Sequence, residues 1–157
     1  MHRPVSTHAA IFPAGAWHTP LGDADVDAEA VACLAKDGGA LATVSAEAHE
    51  GEHAIEVQVP FIQALCPEAT IVPVAVSPSA AAMRVGKQVA GALRSLERTI
   101  VYVASTDLTH YGMGYGSPDH GPLSKAMPWM RENDERFIRL VEGLRAEDMV
   151  EEAMRSQ

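Results

Sequence analysis

Only two cysteines occur in 157 residues, Cys33 and Cys66, far apart and without a C-x-x-C pair. That excludes a framework of several disulfides and a C-x-x-C zinc or redox motif, and reads as two buried thiols in a reducing compartment, with a single disulfide as the alternative. Basic residues are also scarce: twelve Lys and Arg stand against 21 Asp and Glu, a formal charge of −9. There is no Lys/Arg run, so phosphate backbones and anionic lipid surfaces find no complementary charge. No apolar stretch approaches the roughly 20 residues of a membrane span. The opening Met1-His2-Arg3-Pro4 has no apolar core of a signal peptide. The expectation is a cytoplasmic protein that binds neither nucleic acid nor membrane.

What is present suits a packed domain. Hydrophobic residues make up 47% of the sequence and charged residues 21%, enough to bury one core. Short apolar runs alternate with helix-period segments. Ala9–Phe12 and Ala40–Val44 read as strands, and the β-branched Thr70–Val76 and Thr99–Ala104 as stronger ones. Pro73 marks its strand as an edge or a bulge. Helices are expected over Asp27–Lys36, capped by Asp27 and stopped by Gly38-Gly39, and over His53–Leu65, kinked or divided at Pro60. Further helices are expected over Ala80–Leu96 behind Ser79, over Leu123–Glu142 with an interruption near Pro128, and from about Ala146 onward. Strands alternating with helices predict a single α/β domain over residues 1–157, with a mostly parallel or mixed sheet flanked by helices. Tyr111–Pro122 is the longest turn-rich stretch.

Two segments carry chemistry. In Val101–Gly112, an apolar run leads into Ser105, Thr106, Asp107, Thr109 and His110. Ligands of open α/β sheets bind outside the carboxyl ends of strands, and a carboxylate three residues from an imidazole can fix its tautomer for acid/base work. The structural alternative is a helix start capped by Ser105 or Asp107. In Ala48–Phe61, a continuous helix would place His49, Glu52, His53 and Glu56 on one face, a candidate metal or acid/base surface. The structural alternative is a solvated polar face, and Gly51 weakens any helix reaching back to His49. The same stretch matches H-x-x-E-H, the inverzincin zinc-peptidase pattern, with His49 and His53 on zinc and Glu52 as the base.

EHAIEVQVPF (Glu52–Phe61) resembles the E-H-S/A-I/L-E-V/M-x-L/V-P-F/Y signature of the MEMO family, and STDLTHYG (Ser105–Gly112) resembles that family's S-S-D-L/F-S/T-H-Y-G. CPEATIVPVAV and WHTPLGDADVD resemble two further family stretches, in the same order. Members with this pattern are often labelled AmmeMemoRadiSam system protein B.

The resemblance implies a fold similar to the LigB-type, class III extradiol dioxygenases, which are oxidoreductases holding a non-haem iron. It implies a metal and small-molecule pocket at the C-terminal ends of the strands, with His2 as metal ligand and His110 and Asp107 as catalytic pair. His53, Glu52, Glu56, His49, Ser105 and Tyr111 would lie in or near that pocket. Fe(II) is the implied metal, with copper or zinc also acceptable to such donors. The family's P-H-A-G-Y histidine and C-terminal C-G cysteine have no counterpart in these 157 residues. The expectation is therefore the central part of a longer domain, with metal weakly held or absent unless another chain completes the site. A non-catalytic binder of metal, small molecule or peptide is the alternative on the same fold. A sheet short of strands would expose an edge and favour a homo-oligomer.

Overall fold

The computed structural model describes residues 8–37, 42–77, 79–112, 114–115 and 119–155. The chain divides into two compact units, Met1–Ser105 and Thr106–Gln157.

The first unit is built on β1 (Ala9–Ile11), whose three residues are all buried. Small and branched apolar side chains suit a strand covered on both faces. On one side β1 pairs in parallel with β4 (Ala42–Val44), Ala9 opposite Ala42 and Ile11 opposite Val44. On the other it pairs antiparallel with β5 (Val74–Val76), Ala9 opposite Val76 and Ile11 opposite Val74. The order β4-β1-β5 makes this a mixed three-stranded sheet, with β5 on an edge. That agrees with the α/β expectation and with the edge position read from Pro73. The proline stands just before β5, where its missing N–H costs no ladder bond, and its carbonyl accepts the Phe12 N–H at 3.0 Å.

A hairpin joins β2 (Ala16–Thr19) to β3 (Gly22–Asp25), Thr19 opposite Gly22 across Pro20-Leu21. Gly22 has φ +106, which favours glycine. The sequence does not announce these strands: only Thr19 of WHTPLGDAD is β-branched, and the turn signal sits inside a short span.

α1 (Ala28–Asp37) starts where Asp27 accepts the Ala30 N–H at 2.9 Å, the expected cap. Asp27 also pairs with Arg98 at 2.5 Å, and the same guanidinium meets Glu29. α1 buries Ala30, Val31 and Leu34, and α3 (Ala82–Leu93) buries Val85, Ala92 and Leu93. Ala30, Val31, Leu34, Ala92 and Leu93 form one cluster with Ile11, Val26, Val59, Ile71 and Leu96. The glycines expected to stop α1, and residues 40 and 41 of the strand expected over Ala40–Val44, lie outside the described residues.

Three expectations need correction. The helix foreseen over His53–Leu65 is helical only as α2 (Val59–Leu65), with turns before it. Pro60 explains this: in the first helical turn its absent N–H is harmless, whereas a helix begun at His53 would drive its ring into the carbonyl four residues back. Second, Thr99–Ala104 forms no strand among the described residues. Val101, Tyr102 and Val103 are 78%, 60% and 58% exposed, and only Ile100 packs on the core cluster. β-branched residues favour a strand through neighbours and burial, and this segment has no ladder partner among the described residues. Third, α4 (Leu123–Glu142) runs unbroken through Pro128. One lost hydrogen bond does not outweigh the packing of a twenty-residue helix.

The second unit consists of α4, α5 (Ala146–Arg155) and the segment before them. Leu144 turns the chain between the helices with φ +51. Arg136 of α4 ties them by donating to Glu152 of α5 at 2.9 Å.

Replacing Asp27 with Ala removes both the cap and the ion pair. It is expected to destabilise the first unit by about 0.5–2 kcal/mol from the cap alone, read as a lower urea midpoint by circular dichroism. Asp27→Asn, which keeps a capping oxygen, should lose distinctly less.

Candidate functional site

The H-x-x-E-H stretch is not one helix. Ser45 Oγ accepts the Ala48 N–H at 3.2 Å and opens a short 3-10 turn, Glu47–His49. Two residues later Gly51 takes φ +69, which ends any helical path. His49 is 6% exposed. Its Nδ1 lies 2.9 Å from the Ser45 carbonyl, and since a carbonyl only accepts, Nδ1 carries the proton. The ring stands edge to face with Phe12 and Trp17, centroids 5.4 and 6.0 Å away. Its Nε2 has no hydrogen-bond partner among the described residues.

Glu52 turns back on its own backbone. Its carboxylate accepts the Ala54 N–H at 2.5 Å and the Ile55 N–H at 3.0 Å. This initiates the turns leading to α2. His53 and Glu56 are exposed. The shared face expected for His49, Glu52, His53 and Glu56 is therefore not formed, and the helical geometry that the zinc-peptidase pattern requires is absent.

Ser105, at the end of the first unit, is exposed and accepts a long 3.4 Å hydrogen bond from the Gln58 amide. A depression of about 360 Å³ in this unit, lined by Leu21, Asp23, Asp25, Gln63 and Glu68 among others, contains none of the predicted site residues.

In the second unit the structure does bring the expected pair together. Asp107 Oδ2 lies 3.7 Å from His110 Nε2. Both side chains are partly open to solvent, at 42% and 46%. The His110 ring packs on Tyr115, centroids 4.7 Å apart. Between the pair, Thr109 is held from α4: its N–H donates to Asp134 Oδ1 at 2.9 Å, and its hydroxyl accepts from Asn133 Nδ2 at 2.7 Å.

Tyr111 bonds through its hydroxyl to the residues nine and ten positions on. Its hydroxyl donates to the Gly121 carbonyl at 2.7 Å and accepts the His120 N–H at 3.0 Å. It thereby joins residue 111 to residues 120 and 121, beside the His120–Trp129 stack at 4.0 Å.

The metal question turns on donors. One imidazole and one carboxylate stand together at Asp107 and His110, a chemistry that Fe(II), copper and zinc all accept. The further donor expected at His2 lies outside the described residues. Among the described residues, no three His, Cys, Asp or Glu side chains converge as a metal site. Cys33 is partly buried and Cys66 exposed, which corrects the expectation of two buried thiols.

Asn133 and Asp134 were missed in the sequence. The available signal was weak: an Asn-Asp pair in mid-helix, where better helix formers are ordinary.

Because Glu52 caps a turn, Glu52→Ala is expected to cost about 1–2 kcal/mol of stability, measured by urea denaturation. Glu52→Gln retains an acceptor oxygen and should lose less. Equal loss in both would contradict the capping role.

The family model described as Memo-like protein matches residues 1–157. A MEMO1 family protein of Thermococcus onnurineus is 36% identical, over 89% of this chain and 50% of the relative. One from Thermococcus kodakarensis is 37% identical, over 96% and 54% respectively, and one from Thermoplasma volcanium is 39% identical, over 70% and 40%. The chain thus spans about half the length, or less, of these relatives. No solved structure matches. The four sequence stretches, the α/β architecture and a family match across all 157 residues agree: the chain belongs to the Memo-like protein family.

Proposed function

We propose that the chain carries the acid/base half of a metal-dependent oxidoreductase site of the extradiol-dioxygenase type, acting on a catechol-like diol. The observation that carries this reading is the approach of Asp107 to His110, 3.7 Å apart on a segment without regular secondary structure. Two side chains three residues apart in such a segment have no backbone reason to converge, and here they do.

The pairing assigns roles by atom. A carboxylate beside Nε2 favours the tautomer with its proton on Nε2, and leaves the Nδ1 lone pair to accept a proton from a substrate hydroxyl. Asp107 then stabilises the resulting imidazolium and holds the ring in one orientation. The separation of 3.7 Å exceeds a direct hydrogen bond, so the contact is electrostatic or bridged by water until a ligand draws the groups together. A bound Fe(II) would supply the site for dioxygen and the diol oxygens. His110 and Asp107 remain in charge of the proton, and His2 would be the ligand from the start of the chain.

A binding role without turnover has one observation in its favour. Both members of the pair are over two-fifths exposed, and acid/base groups act most strongly where water is excluded. In that reading the same two groups hold a metal, a small polar molecule or a peptide.

Elemental analysis of the purified protein, with ring cleavage of a catechol panel followed by absorbance, separates these. The oxidoreductase reading expects iron in stoichiometric amount and turnover reduced about 10²–10⁴-fold in His110→Ala. Undiminished turnover in that variant contradicts it. Bound metal with no ring cleavage in the parent protein favours the binding role.

A further inference from the structure

We propose that Asn133 and Asp134 of α4 are positioning residues, which hold Thr109 and through it set the geometry of Asp107 with His110. This rests on the reading that Asp107 and His110 are the working pair.

Residues 105–111 have no helix or strand to fix their course. Thr109 is nevertheless fixed at two points on consecutive residues of one helix. Asp134 takes its backbone N–H at 2.9 Å, and Asn133 donates to its hydroxyl at 2.7 Å. His110 is the next residue and Asp107 lies two before, so rotation at Thr109 would swing the two side chains relative to each other.

The Asn133 amide has no freedom to turn over. It is 5% exposed, and its Oδ1 accepts from Arg136 Nη2 at 2.6 Å. A guanidinium only donates, so the oxygen must face Arg136 and the NH₂ must face Thr109. Arg136 is in turn held by Glu152 of α5 at 2.9 Å. The bonds thus run from α5 through α4 to the residue beside His110: Glu152, Arg136, Asn133, Thr109. A buried amide is costly to leave unpaired, so the arrangement holds as a unit. Asn and Asp are also poor choices for the middle of a helix, a local cost that their bonds to Thr109 offset.

The test reads the His110 ring directly, by NMR of the full chain with labelled histidine and without metal. Thr109→Val removes one hydroxyl and little else, and Asp134→Ala removes the acceptor for the backbone. Both are expected to shift the His110 ring signals and to shrink the response of those signals to Asp107→Asn. Asp134→Asn, which keeps an acceptor oxygen, should retain the parent positions. His110 signals that stay in place in Thr109→Val, with helical circular dichroism intact, overturn the proposal. If Asp134→Ala fails to fold, Thr109→Val decides. The readout needs no turnover, so an inactive parent protein would count against the oxidoreductase reading alone. An active protein with unmoved ring signals would count against the positioning role alone.

Discussion

Thr109 is the constraint on which the proposed site depends: its N–H and its hydroxyl are both held by α4. The Ser105–Gly112 segment is exposed along most of its length and follows an apolar run that finds no strand partner among the described residues. The two bonds from α4 fix the residue that stands between the carboxylate and the imidazole. A side chain of ordinary propensity for a turn is made into a fixed point by a helix more than twenty residues later in sequence. The cost of that arrangement is carried by α4, which accepts Asn and Asp in its middle and buries the amide of Asn133.

The first unit illustrates how backbone constraints divide a suggestive motif. H-x-x-E-H reads as a single functional face only if the chain is helical from His49 to His53. Gly51 at φ +69 breaks that path in its middle, and Pro60 puts the start of α2 well beyond His53. The residues then take local roles. His49 becomes a buried ring bonded to Ser45 and wedged against Phe12 and Trp17, and Glu52 becomes a cap. The family signature over Glu52–Phe61 is thus, in part, a turn-forming sequence whose carboxylate and proline start a helix.

Much of the architecture was legible because it rests on local rules. Asp27 announced α1 through its capping oxygen, Pro73 announced an edge strand, and the helix expected over Ala80–Leu96 formed as α3. The failures have a common physical cause. Thr99–Ala104 has strong β propensity, but propensity becomes a strand only with a ladder beside it. The β2–β3 hairpin is held by pairing that its composition, with Thr19 as its one β-branched residue, does not advertise. At the candidate site, Asp107 and His110 were visible from their spacing and from the family resemblance. Asn133, Asp134 and Arg136 were not, because their role comes from a tertiary contact between a loop and a helix, and no periodicity encodes it.

Energetic coupling between Asp107 and His110 tests the account most directly. With Fe(II) added, ring cleavage of a catechol can be compared in the parent protein, Asp107→Asn, His110→Gln and the double variant. Groups that act as one unit give non-additive losses, so the double variant should turn over little more slowly than the weaker single one. Losses that simply add, or turnover that neither substitution changes, would contradict the claim that these two side chains work together.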